Sequence, residues 1–106
     1  MFAFFKNNKF TSVNVNDLER IKNSINLIDI RKPYEYVRGF VPGAKNVPMS
    51  LILSTPEKHL DKSKQYHIIC QSGGRSLNAC QELSSLGYDV VNVSGGTGSY
   101  VGSLER

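Results

Sequence analysis

The sequence predicts an α/β domain built on a mostly parallel sheet with helices on both faces. Three short apolar runs, at residues 26–30, 66–69 and 89–93, read as buried strands. The stretches between them carry apolar residues at third- and fourth-residue spacing, the period of a helix. Strands separated by helices make βαβ units, and such units set neighbouring strands parallel.

Taken in order, residues 11–15 alternate enough for a first strand. Asn16 and Asp17 offer capping chemistry for a helix to about Asn23, with Leu18 and Ile21 inward. The run at 26–30 is the second strand. Pro33 suits a first helical position, where an N–H would go unused, and Gly39 stops the short helix of residues 33–38. Residues 41–44 turn into a brief strand at Asn46 and Val47. Leu51, Ile52, Leu53 and Leu60 give residues 50–60 helical spacing, interrupted at Pro56. After the strand at 66–69 comes the clearest helix, residues 75–86. Leu77, Cys80, Leu83 and Leu86 form its stripe and Gly87 ends it. Residues 89–93 are the last strong strand, followed by Gly95, Gly96 and a short helix around Tyr100.

With 106 residues, 40% apolar and 21% charged, the chain has the make-up of one globular domain. The expected domain is residues 1–106 with a core at about 13–100, free of repeats and linkers. The apolar opening at residues 1–5 is too short for a signal-peptide core, and no run approaches a membrane span. A cytoplasmic protein without membrane contact is expected. The two cysteines, ten residues apart, make no disulfide framework, and with His59 and His67 they lack metal-ligand spacing. No metal is expected. A net charge of +4 without a basic run argues against nucleic acid and for a slight attraction to small anions.

In a sheet of this kind the ligand site lies outside the carboxyl ends of the strands. Asp29, Cys70 and Ser94 fall at or just past three such ends and are expected to share one pocket. Chemistry concentrates at the second. Cys70 closes a strand, Gln71, Ser72, Gly73 and Gly74 turn sharply, and Arg75 and Ser76 open a helix. Curled this way, the loop aims successive N–H groups at one point and makes a nest for an anion. The helix dipole and Arg75 are expected to add positive potential. A free thiol titrates near ~8.5, and such surroundings commonly lower that to roughly 3.5–7.5. Cys70 is therefore read as a nucleophile, not an inert strand-end residue.

The loop resembles the active-site loop of single-domain rhodaneses, the sulfurtransferases. Three further stretches resemble that family in the same order. They are residues 27–36 (LIDIRKPYEY), residues 39–48 (GFVPGAKNVP), and Leu86-Gly87-Tyr88 through Gly95-Gly96. The resemblance runs from about Val13 to Tyr100. It implies a rhodanese-like three-layer sandwich on a five-stranded sheet, with Cys70 catalytic and residues 71–76 substrate-binding. The implied reaction moves a sulfane sulfur from an anionic donor such as thiosulfate, through a Cys70 persulfide, to a thiol or protein-cysteine acceptor. No cofactor is implied, and a monomer is expected. The loop is also one residue shorter than the Cys-x₅-Arg loop of cysteine phosphatases, so its tighter concavity favours sulfur over a phosphoryl group. A persulfide carrier or interaction module without its own turnover is the first alternative. A small phosphatase or arsenate reductase is the second.

Phe40 stands where the family commonly has histidine, and Tyr100 where tryptophan is common. Arg31 is expected to pair with Glu35, four residues on, and to lock the strand-to-helix turn. Cys80, inside its helical stripe, is expected to pack as a small hydrophobe. His59 and His67 have no motif around them.

Overall fold

The computed structural model describes residues 10–106, so the apolar opening at 1–5 lies outside the described residues. Five parallel strands stand in the order β1-β5-β4-β2-β3. They are β1 (Thr11–Asn14), β2 (Asn26–Asp29), β3 (Lys45–Asn46), β4 (Gln65–Ile69) and β5 (Asp89–Ser94). The register places Ile28 beside Ile68, and Ile68 beside Asn92. β4 is central and buried from Tyr66 through Ile69, as its unbroken apolar run requires.

Two apolar layers sandwich the sheet. On one face α2 (Met49–Ser54) and α3 (Gly74–Ser85) close over Ile28, Ile68 and Val90 through Ile52, Ala79, Cys80 and Leu83. On the other, Val15, Leu18, Val41 and Ala44 cover Leu27, Ile69 and Val93. α1 (Pro33–Tyr36) starts at its proline and carries no buried residue; it ends at Tyr36, short of the expected residue 38, and Gly39 follows at φ 149°. Tyr36 stacks on Phe40 at 4.2 Å, and Phe40 bridges backbone to backbone with Glu105, tying the C-terminal segment to the domain.

Several sequence expectations need correction. The segment after β1 is a pair of 3₁₀ turns, Val15–Arg20 and Lys22–Ser24, not an α-helix. Its cap is Asn14, whose side chain accepts the Asn16 N–H at 2.9 Å. Three residues per turn put Val15 and Leu18 on one face, both buried. The turn breaks at Ile21, at φ −126°, and leaves that side chain 36% exposed.

The buried face of α3 is the second correction. It consists of Ser76, Ala79, Cys80 and Leu83, whereas Leu77 and Leu86 are 41% and 47% exposed. The apolar count missed this because a serine leads the stripe. Ser76 faces Cys70, and that contact fixes the rotation of the whole helix. Tyr100 lies just past a 3₁₀ turn, Thr97–Ser99, rather than inside a helix.

Candidate active site

Cys70 is the first residue after β4 and is 1% exposed. The Gly73 and Ser76 N–H groups donate to its Sγ at 3.1 and 3.3 Å. The thiol lies 3.4 Å from Ser76 Oγ, which in turn donates to the Gly73 carbonyl at 3.1 Å. Once the thiol proton leaves, that hydroxyl is free to turn its own proton to sulfur. Gly73 makes the turn at φ +108°, a region that costs other L-residues dearly, and α3 begins at the next residue. The sulfur therefore faces the first turn of a twelve-residue helix.

Burial alone would push the Cys70 thiol up. The Ser76 hydroxyl and the N–H groups of Ser76, Gly73 and Ser72 outweigh it, and the pKa falls below its ordinary 9.0. Arg75 has a structural part beside the one expected of it. Its guanidinium clamps Glu35 with two bonds of 2.9 and 3.1 Å, joining α3 to α1 across the mouth of the site. Glu35 is held down at about 2, first by that clamp and against some burial, with help from the Lys32 N–H. The Cys70 charge still reaches Arg75 and helps raise its pKa, after the Glu35 bonds.

The expected Arg31–Glu35 pair does not form. Arg31, 3% exposed, folds back on Asp29 through Nε and Nη2 at 2.9–3.1 Å. Nη2 also donates to the Gly39 carbonyl at 2.8 Å, and Nη1 to Gln71 Oε1 at 3.1 Å. A buried guanidinium needs a buried carboxylate, and Asp29 is nearer in the strand than Glu35 is on the helix. Asp29 thus serves the site through Arg31. Ser94 does not enter the clefts beside the loop; its hydroxyl donates to the Val13 carbonyl at 3.2 Å.

The loop rests on the segment after β5. Thr97 N–H donates to the Cys70 carbonyl and Gly98 N–H to the Gln71 carbonyl, each at 2.9 Å. A Cβ on Gly96 would stand 2.5 Å from the Gln71 carbonyl, so the two backbones touch and only glycine fits. Two clefts flank the loop. One, about 590 Å³, is apolar with Met49, Leu51 and Leu53 between Lys32 and Arg75. The other, about 480 Å³, lies among Arg31, Arg38, Gln71, Thr97 and Gly98.

This sequence and its five-stranded parallel sheet have counterparts among known proteins. Residues 14–103 match the family model of the rhodanese-like domain. The chain belongs to the rhodanese-like family. The Bacillus subtilis protein YtwF is 44% identical over 81 residues, covering 74% of this chain and 76% of that one. A protein of Allochromatium vinosum named as a sulfurtransferase is 41% identical over 71 residues, covering 66% of this chain and 65% of its own length. Among solved structures, a rhodanese-related protein from Thermoplasma volcanium superposes with a TM-score of 0.77 at 35% identity, covering 87% of this chain and 91% of its own. The rhodanese-like fold is thus shared along nearly all of the matched region, and the family is one of sulfurtransferases.

Within this rhodanese-like domain, Cys80 packs in the apolar layer at 0% exposure. Burial, then the Cys70 charge, pushes its thiol up to about 12. His67 lies within β4 with Nδ1 unpartnered among the described residues, and burial lowers its pKa. No helix among the described residues is long and apolar enough to cross a membrane. Sequence reasoning missed the Arg31 hub and the floor made by Gly96 and Thr97. The glycine pair was a signal for the floor, but spacing alone did not show that a loop 25 residues upstream lies against it.

Proposed function

We propose that this chain is a thiosulfate sulfurtransferase acting through a Cys70 persulfide. The observation that carries the reading is the set of donors converging on one buried sulfur, with the helix N-terminus behind them. Cys70 attacks the sulfane sulfur of thiosulfate as a thiolate. An S–S bond forms to Cys70, the bond to the sulfonate sulfur breaks, and sulfite leaves with the electron pair. The persulfide anion replaces the thiolate in the same nest, formed by Gln71, Ser72, Gly73, Gly74, Arg75 and Ser76, so the charge never leaves its donors. An acceptor thiol then removes the outer sulfur and regenerates the thiolate. Two half-reactions through one covalent intermediate give ping-pong kinetics.

Arg75 contributes to this reading as a clamp on Glu35 that steadies the start of α3. Steady-state turnover of thiosulfate with cyanide, lost in Cys70→Ser, tests the proposal. Loading of Cys70 without turnover would instead make the domain a sulfur carrier. Hydrolysis of an aryl phosphate at a comparable rate would overturn the choice of sulfur as cargo.

A further inference from the structure

The cleft of about 480 Å³ beside the loop is lined by three charged side chains, and two of them already have partners of opposite charge. Arg31 is spent on Asp29, and Glu35 on Arg75. The third is Arg38 itself, which is exposed. Its guanidinium lies 5.9 Å from the centre of the Tyr34 ring and has no carboxylate partner among the described residues. The cleft therefore carries one unmatched positive charge.

A second observation is independent of charge. Thr97 lines the same cleft and is 5% exposed, yet its Oγ1 has no hydrogen-bond partner among the described residues. Buried hydroxyls are ordinarily bonded, so this one, closed off behind the cleft wall, is a hydrogen-bonding group that the fold leaves unserved beside the cleft. Thr97 is also the residue whose N–H holds the Cys70 carbonyl, and Gln71 of the loop forms part of the wall. Whatever occupies the cleft lies against the nucleophile loop.

We propose that this cleft is the acceptor subsite, and that Arg38 with Thr97 selects small thiols bearing a carboxylate. The inference rests on the persulfide reading and adds the chemical class of the second substrate. The carboxylate accepts from the Arg38 guanidinium, while the thiol end lies toward the loop. The acceptor thiol passes its proton to the persulfide anion and, as a thiolate, attacks the outer sulfur. A new S–S bond forms on the acceptor, the S–S bond to Cys70 breaks, and Cys70 departs as the thiolate with that electron pair. The acceptor leaves as a persulfide carrying the proton, so charge and sulfur balance.

The test uses protein loaded with thiosulfate and follows unloading by mass with two acceptors, 3-mercaptopropionate and 2-mercaptoethanol. The readout is the ratio of their second-order rate constants, compared between the parent chain and its variants, so that the intrinsic reactivities of the thiols cancel. Arg38→Gln should lower the ratio roughly fivefold, the scale of a partly exposed charge contact, and added salt should lower it in the parent. Arg38→Lys should recover most of the preference, and Thr97→Val should lower it further. An unchanged ratio in Arg38→Gln would overturn the subsite while leaving the persulfide reading intact. Failure to load from thiosulfate would overturn that reading, and the subsite with it.

Discussion

Arg31 and Gln71 are separated by 40 residues and joined by a hydrogen bond of 3.1 Å from guanidinium to side-chain amide. The bond ties the segment just past β2 to the first residue of the loop after Cys70. The same guanidinium holds Asp29 and the Gly39 carbonyl, so one buried side chain fixes three segments around Cys70.

Replacing Arg31 with Met strands the Asp29 carboxylate, which is 0% exposed. Breaking a buried pair from one side typically costs about 3–5 kcal/mol. Urea unfolding should show a loss of that order. A loss under about 1 kcal/mol would mean that Asp29 finds water or another donor, contrary to the account.

Glycines in this site divide by what surrounds them. Gly96→Ala puts a methyl 2.5 Å from the Gln71 carbonyl at φ +66°, and should cost at least ~2 kcal/mol while displacing the loop. Gly74→Ala meets nothing within 4 Å and lies at the start of α3. It should be neutral or stabilising by up to ~1 kcal/mol. Thermal melts of the two variants check the contrast.

Much of this was legible in the residues. The runs at 26–30, 66–69 and 89–93 contain the strands β2, β4 and β5 to within a residue or two, since fully buried parallel strands show as continuous apolar stretches. Cys70, Gly73 and the helix start could be placed because a strand end, a glycine turn and a helix onset are all local signals. What escaped were relationships set by the tertiary structure. Arg31 had two carboxylates within reach, and only the burial of Asp29 decided between them. Leu77 looked like core because its spacing fits a helix, but the bond between Ser76 and Cys70 turned it outward.

Ser76 is the residue through which the thiol is tuned. Ser76→Ala removes the hydroxyl that stabilises the thiolate and leaves the backbone donors in place. The pH profile of thiosulfate loading should shift to higher pH, and the rate at neutral pH should fall roughly tenfold, the worth of one charge-assisted hydrogen bond. Stopped-time mass measurements across pH check this. An unshifted profile would assign the tuning to the backbone alone.

The Glu35–Arg75 clamp gives a different pH signature. Glu35 titrates at about 2 in the folded chain against 4.5 for the free side chain, so the folded state holds the carboxylate in its charged form. The stability it adds is complete above 4.5 and is lost as the pH falls toward 2. Arg75 is 38% exposed, so screening keeps the contribution below about 1 kcal/mol. Carboxyl NMR should place this titration, and Glu35→Gln should flatten the acid limb of the stability curve by that small amount.

The central claim is that Cys70 takes and holds a sulfur atom. Intact mass after treatment with thiosulfate tests it most directly. The expected gain is about 32 Da, one persulfide sulfur, reversed by dithiothreitol and absent in Cys70→Ser. An unchanged mass, or the same gain in Cys70→Ser, would contradict it.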